Sequence, residues 1–224
     1  MRQEEMKVSS LFDTSHSIVG RVLSQFTYPW EILPRIEELI VALGQVLPDS
    51  DYKKFGDSIW VHKSVKVAPS VAMGKNIIVC QGAELRHCAY IRGNAIIGAG
   101  AVVGNSTELK NVILFDGVQV PHYNYVGDSI LGFKAHLGAG AITSNVRADK
   151  ELVKVHAEDG DLETGLKKFG AIVGDNVEVG CNSVLNPGTI IGRGSNVYPL
   201  SSVRGCVDAN SIYKKQGEVV EKNK

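Results

Sequence analysis

A six-residue period in the hydrophobic residues limits the folds that this chain can adopt. Counted in steps of six from Val61, ten of eleven positions are aliphatic, methionine or phenylalanine. These lead positions are Val61, Val67, Met73, Val79, Leu85, Ile91, Ile97, Val103, Leu109, Phe115 and Pro121. After an interruption, the period returns at Val173, Val179, Leu185, Ile191, Val197 and Val203.

A period of six fits neither the helical repeat nor the strict alternation of a hairpin sheet. One hexad provides a short strand and a corner, and three hexads close one triangular coil. Coils stacked about 4.8 Å apart with parallel hydrogen bonding form a parallel β-helix, a solenoid with a narrow apolar core. An ordinary β-sandwich is disfavoured, because turn signals at regular spacings of about 8–12 residues are missing. The sequence therefore predicts an all-β solenoid of hexapeptide repeats.

Two segments before the repeat, 13–26 and 30–43, have helical character. The second carries an amphipathic face and is followed by Gly44, a typical helix stop. We expect these helices to cap or flank one end of the solenoid, since repeat folds need their ends covered.

The repeat is interrupted twice. Two residues are lost between Pro121 and Leu131, and a polar insertion with an Asp159–Gly160 turn signal separates Asn145 from Gly170. Such insertions often lie on a binding face, although a solvated loop without function is the alternative. The expected organisation is a helical N-terminal cap at 1–56, a solenoid at 57–210 with an inserted loop at about 146–169, and a C-terminal tail at 211–224.

Composition excludes several function classes. Lysine plus arginine equals aspartate plus glutamate at 24 each, so we expect no nucleic-acid partner. Four cysteines without a CxxC pair predict free thiols in a reducing cytosol. Because no apolar run approaches the roughly 20 residues of a membrane helix, we expect a cytoplasmic protein without a membrane partner.

Charged residues and one histidine fall on predicted corners. Arg92 and Lys110 are separated by three hexads and both follow a lead position, so they are expected to stack on one edge. Two cations held together favour a phosphate ligand, although corners also carry ordinary solvated charges. His122 falls one predicted coil beyond Gly104. It could act as a general base at neutral pH or be an ordinary surface histidine.

The segment from Ile91 to Asn145 carries IRGNAII, VGNSTELK, HYNYVGD and HLGAGAITSN at ungapped spacing. It resembles the hexapeptide-repeat acyltransferases, and among them the acetyltransferase half of the bacterial bifunctional N-acetylglucosamine-1-phosphate uridyltransferase/glucosamine-1-phosphate acetyltransferases. The resemblance implies a left-handed solenoid, a homotrimer, and acetyl-CoA as co-substrate in a cleft between chains. It also implies direct acetyl transfer to an amino sugar phosphate or nucleotide-linked amino sugar, as for a cell-envelope precursor.

The resemblance also implies a role for individual residues. His122 matches the catalytic base, and Asn145 joins it as a catalytic candidate. The predicted substrate-binding residues are Arg92, Lys110, Tyr125, His136 and Lys168. The predicted coenzyme-binding residues are Ala139, Cys181 and Pro199. No metal is implied.

Several positions depart from the family pattern. His136 replaces an asparagine, Val146 a tyrosine, Cys181 a serine and Pro199 an alanine. The nucleotide-binding loop of the uridyltransferase half has no counterpart in the first 50 residues. A non-catalytic or nucleotidyltransferase-associated sugar-phosphate-binding trimer related to UDP-N-acetylglucosamine pyrophosphorylases is therefore an alternative. A zinc carbonic anhydrase is a second alternative, but it needs three converging histidines, and the histidine spacing does not provide them.

Overall fold

The computed structural model describes residues 1–215 and 218–221, and most of them form a parallel β-solenoid preceded by short helices. The predicted fold class, an all-β solenoid of hexapeptide repeats with N-terminal helices, is confirmed.

The N-terminal segment contains three 3-10 helices and three α-helices. The 3-10 helices are Gln3–Met6, Thr14–His16 and Pro29–Arg35, and the α-helices are α1 (Val8–Leu11), α2 (Gly20–Leu23) and α3 (Ile36–Gly44). Segment 13–26, predicted as one helix, is thus broken into short turns. The chain folds back on itself here, and Gly20 meets the Thr14 carbonyl oxygen so closely that a Cβ would lie 1.8 Å away, an approach that glycine allows. Segment 30–43 is helical, but its first part is a 3-10 helix.

Most strands are short, as the hexads predict, but four have seven or eight residues and run through a corner. They are β1 (Tyr52–Phe55), β2 (Ile59–His62), β3 (Lys66–Val67), β4 (Ala72–Val79), β5 (Glu84–Leu85), β6 (Tyr90–Ile97), β7 (Val102–Asn105), β8 (Glu108–Leu114), β9 (Gln119–His122), β10 (Tyr125–Leu131), β11 (His136–Leu137), β12 (Ile142–Thr143), β13 (Lys154–Ala157), β14 (Gly160–Glu163), β15 (Ala171–Val173), β16 (Glu178–Val179), β17 (Val184–Leu185), β18 (Thr189–Ile191), β19 (Asn196–Val197), β20 (Ser202–Val203), β21 (Cys206–Val207), β22 (Ser211–Lys215) and β23 (Glu218–Glu221).

Parallel pairing between successive coils defines three sides. The first side runs from β3 through β5, β7, β9, β11, β16 and β19 to β22. The second side begins with Ala72–Met73, passes through the first residues of β6, β8 and β10, and continues with β12, β17 and β20. The third side holds β2, the last residues of β4, β6, β8 and β10, and then β15, β18 and β21.

Coil length changes along the solenoid, which corrects the predicted frame. Val79 pairs with Ile97, three full hexads further along the chain. Ile97 pairs with Leu114 and Leu114 with Leu131, and each of these steps is one position short of three hexads. Phe115 is therefore wrong as a lead position, and so is Pro121, since Val120 pairs with Val103. Each of these two coils lacks one residue at the corner between the second and third sides, and the coil in which Ile191 pairs with Val207 is shorter by two positions at the same corner.

The N-terminal helices lie along the third side instead of capping an end. They pack against β4, β6, β8 and β10, which gives the third side a buried outer face. Side chains alternate between the two faces of a strand, so the residue before each lead points outward. On this side it is an isoleucine in six successive coils: Ile78, Ile96, Ile113, Ile130, Ile172 and Ile190, all fully buried.

The insertion and the described part of the C-terminal segment, residues 211–215 and 218–221, also form strands. The insertion forms the antiparallel hairpin β13–β14 with its turn at the predicted Asp159–Gly160 position. Residues 211–224, expected as a tail, contain β22 paired with β19, and β23 paired with β22. The solenoid therefore extends beyond residue 210.

The buried isoleucine ladder yields a stability prediction. Replacement of Ile113 by alanine should lower the free energy of unfolding by about 2–5 kcal/mol, because it removes apolar contact and leaves a cavity. The control Val46→Ala, at a side chain that is 76% exposed, should change it by less than about 0.5 kcal/mol. Urea unfolding measures both, and equal effects would mean that the N-terminal helices do not cover this ladder.

Candidate active site

The corner between the second and third sides is organised by a buried carboxylate. Asp128 is only 3% exposed. It accepts hydrogen bonds from Lys110 Nζ at 2.8 and 3.0 Å, from Asn111 Nδ2 at 3.1 Å, and from Asn145 Nδ2. A buried carboxylate needs such compensation. Asp128 therefore fixes Lys110 and Asn145 in one cluster.

Tyr125 joins this cluster from the second side. Its hydroxyl oxygen accepts a hydrogen bond of 3.3 Å from Asn145 Nδ2. The two side chains close over Gly127, where a Cβ would lie 2.6 Å from the Tyr125 hydroxyl. Burial, together with the nearby Asp128 and Glu108 carboxylates, raises the pKa of Tyr125 above its usual value. The phenol is therefore protonated at neutral pH and can donate a hydrogen bond to a ligand.

Arg92 reaches the same corner, but not in the predicted manner. The backbone partner of Lys110 is Gly93, and Arg92 forms a bulge. The predicted stacking of Arg92 and Lys110 is therefore wrong by one residue, because the shorter coil has no counterpart of Arg92. The Arg92 guanidinium pairs instead with Glu108 at 2.9 Å, and Glu108 lies beside Tyr125 in the ladder.

His122 lies at the other edge of the second side. Asn105, not Gly104, lies beneath it, and Gly104 is pressed against Pro121. The His122 backbone N–H donates to Asn124 Oδ1, while the Asn124 amide donates to the carbonyl oxygens of Gly138 and Ala141. The imidazole is exposed. Among the described residues, no side-chain hydrogen bond holds it.

The predicted coenzyme residues continue this edge into later coils. Gly140 N–H donates to the His122 carbonyl, Asn182 N–H to that of Ala139, and Leu200 N–H to that of Cys181. Cys181 and Pro199 line an open groove of about 460 Å³ along the first side. An extended ligand could follow this edge from Pro199 to His122.

His136 lies apart from the sugar-site residues beside which the resemblance places it. Lys168 is linked to those residues through its neighbour Phe169. Within one chain, His136 lines the groove with Cys181 and Pro199 and pairs with Glu178 at 2.7 Å, away from Tyr125 and Asn145. Lys168 is exposed, and the next residue, Phe169, donates its backbone N–H to the Asn145 carbonyl at 3.0 Å.

Three residues of the site escaped the sequence analysis. Asp128 holds Lys110 and Asn145, Glu108 holds Arg92, and Asn124 holds the turn at His122. The HYNYVGD motif contained both Asn124 and Asp128. Asp128 has a φ of 47°, a conformation that aspartate and asparagine adopt more readily than most residues. No hexad pattern, however, shows which cation meets which carboxylate.

Two features are absent from the described residues. Residues 1–215 and 218–221 bring together no group of three or more histidine, cysteine, aspartate or glutamate side chains that could hold a metal ion. None of the helices in this part of the chain is long and apolar enough to span a membrane.

Comparisons with known proteins point to the same family as the motifs. The chain is 37% identical over 135 residues to the bifunctional protein GlmU of Methanococcus vannielii, covering 60% of this chain and 32% of that protein. It is 32% identical over 126 residues to a bifunctional sugar-1-phosphate nucleotidylyltransferase/acetyltransferase of Sulfurisphaera tokodaii, covering 56% and 31%. The matched region thus spans about a third of the length of these curated relatives.

Among solved structures, a hexapeptide transferase family protein from Anaplasma phagocytophilum is 13% identical with a TM-score of 0.43, covering 74% of this chain and 80% of that one. That likeness is too distant to bear on function. The family described as "GMPPB C-terminal domain" matches residues 76–191. Because this match covers more than half of the sequence, the chain belongs to the GMPPB C-terminal domain family.

Proposed function

We propose that this chain is an acetyl-CoA-dependent N-acetyltransferase acting on an amino sugar phosphate or nucleotide-linked amino sugar. The observation that carries the proposal is the arrangement of one solenoid face. One edge presents the exposed His122 imidazole and leads to the Cys181 groove, and the opposite edge holds Tyr125, Asn145 and Lys110. Such a face can bind a thioester along one edge and a sugar along the other.

The mechanism requires no covalent enzyme intermediate. The amine nitrogen of the acceptor attacks the thioester carbonyl carbon, and the ring nitrogen of His122 accepts the proton that the amine loses. A hydrogen-bond donor near the thioester carbonyl would stabilise the oxyanion. The tetrahedral intermediate then collapses, the C–S bond breaks, and the coenzyme thiolate leaves and takes up a proton. Binding both substrates on one face reduces the entropic cost of their encounter.

The remaining site residues receive roles within this proposal. Asn145 and Tyr125 would hold the sugar hydroxyls, with Arg92, Lys110, His136 and Lys168 on the acceptor side. Ala139, Cys181 and Pro199 would contact the coenzyme. His136 lies with the coenzyme residues within one chain, so it reaches the acceptor only if a neighbouring chain completes the cleft. We therefore propose a homotrimer, in the cytoplasm where acetyl-CoA is available.

A second candidate is a non-catalytic, sugar-phosphate-binding trimer. Its support is the two positions, Cys181 and Pro199, that depart from the acetyltransferase pattern. Such a protein would keep the Tyr125 and Asn145 corner but would not bind coenzyme. Release of free thiol from acetyl-CoA in the presence of an amino sugar phosphate separates the two candidates.

Removal of the proposed base should abolish most of this turnover. His122→Ala is expected to lower the rate of thiol release by about 10²–10⁴-fold, the usual contribution of a positioned base. The matched control is His87→Ala, an exposed histidine two coils earlier on the same edge. It should leave the rate unchanged. Full activity in His122→Ala, or equal losses in both variants, would exclude His122 as the base.

The thiols provide a test of the groove that does not depend on turnover. Cys88 and Cys181 are exposed, whereas burial raises the pKa of Cys80 and of Cys206 to about 12. Protonated thiols react slowly, and Cys80 is buried and Cys206 only partly exposed, so alkylation of the native protein at pH 8 should modify mainly Cys88 and Cys181. Saturating acetyl-CoA should then protect Cys181 but not Cys88, as measured by mass spectrometry. Equal rates with and without coenzyme would place the coenzyme elsewhere.

A further inference from the structure

The inserted segment is packed against the solenoid and is not a free loop. Val153 and Val155 are buried. Gly188, at a φ of 80°, sits so close to the insertion that a Cβ there would lie 2.7 Å from the Lys154 carbonyl oxygen. The Cys206 thiol donates to the His156 carbonyl at 3.3 Å. The insertion therefore forms a fixed wall beside the later coils.

A pocket lies between this wall and the corner that carries Asn145. Its volume is about 580 Å³, within the roughly 300–1,000 Å³ of small-molecule sites. Ser144 and Val146, the two neighbours of Asn145, both line it. The pocket thus borders the residue that contacts Tyr125, on the same edge of the solenoid.

The lining of this pocket is predominantly cationic. Arg147, Lys150, Lys154 and Arg204 line it with a single carboxylate, Asp149. Arg147 is paired with Asp149 at 2.9 Å, and Lys154 with Glu163. Within residues 1–215 and 218–221, neither Lys150 nor Arg204 has a carboxylate partner. Two cations of the pocket therefore have no compensating carboxylate in the described part of the chain.

The Arg92 and Lys110 corner differs in its charge balance. There each cation already has its own carboxylate, Glu108 at 2.9 Å and Asp128 at 2.8 Å, so the corner is neutral as a group. An anionic ligand gains more from uncompensated cations than from cations that it must share with buried or neighbouring carboxylates. By this comparison, the pocket is the stronger anion site.

We infer that this pocket binds the phosphate or diphosphate group of the acceptor, with Lys150 and Arg204 as its principal ligands. The identity of the ligand rests on the proposed function, whereas the binding of an anion in this pocket does not. Arg204 can offer two parallel N–H donors to phosphate oxygens, and Lys150 a point charge. The sugar would then extend from the pocket past Asn145 towards Tyr125.

Inorganic pyrophosphate is the probe, because its binding requires no acetyl transfer. Titration calorimetry of the full chain should show pyrophosphate binding that weakens about tenfold in Arg204→Ala and in Lys150→Ala, the loss expected for one charge-assisted contact. Both side chains are exposed, so the variants should retain the wild-type melting temperature. Lys53→Ala in β1, an exposed lysine outside the pocket, should bind pyrophosphate like the wild type.

Three results would overturn the inference: no binding of pyrophosphate by the wild type, unchanged binding in the Arg204→Ala/Lys150→Ala double variant, or a larger loss in Arg92→Ala than in that double variant. Competition against pyrophosphate by an amino sugar 1-phosphate and by a nucleoside diphosphate identifies the source of the anion. Pyrophosphate binding without thiol release from acetyl-CoA would contradict the proposed function but support the pocket. Thiol release with unchanged pyrophosphate binding in the double variant would support the proposed function but contradict the pocket.

Discussion

Parallel hydrogen bonding between successive coils is the constraint on which the rest of this molecule depends. Each backbone strand segment pairs with the segment one coil above, so a residue cannot be lost within a side without moving every later side chain to the opposite face. Losses are tolerated only at corners. The shortened coils follow this rule, and the first shortening produces the Arg92 bulge and places Lys110 beside Asp128.

The three sides have become different from one another. The third side is closed from outside by the N-terminal helices, which pack on a ladder of isoleucines. It contributes stability and is inaccessible to ligands. The first and second sides remain open. The exposed imidazole of His122, the Cys181 groove and the Tyr125–Asn145 corner all lie on or beside these two open sides. The covered side thus determines where chemistry can occur.

Much of this could be predicted from the sequence, because a side-chain column follows directly from a hexad period. The core was accessible in this way, and so was the placement of His122 and Lys110 near corners, although each stacks one residue away from its predicted partner. The single-residue losses were not located, since Phe115 is as hydrophobic as the true lead Leu114. The isoleucine ladder did have a signal in the sequence, because an isoleucine precedes the lead position of every third hexad in six successive coils. Ion pairing left no such signal in the sequence, because the Lys110–Asp128 contact joins residues whose proximity depends on the shortened coil.

The central claim is that one edge of this solenoid, from His122 to Pro199, binds a thioester coenzyme. Isothermal titration of the chain with acetyl-CoA tests it most directly. The account predicts saturable heat, with a dissociation constant below about 1 mM, corresponding to a binding free energy stronger than about −4 kcal/mol. Absence of heat at millimolar acetyl-CoA would contradict it and favour the sugar-phosphate-binding trimer.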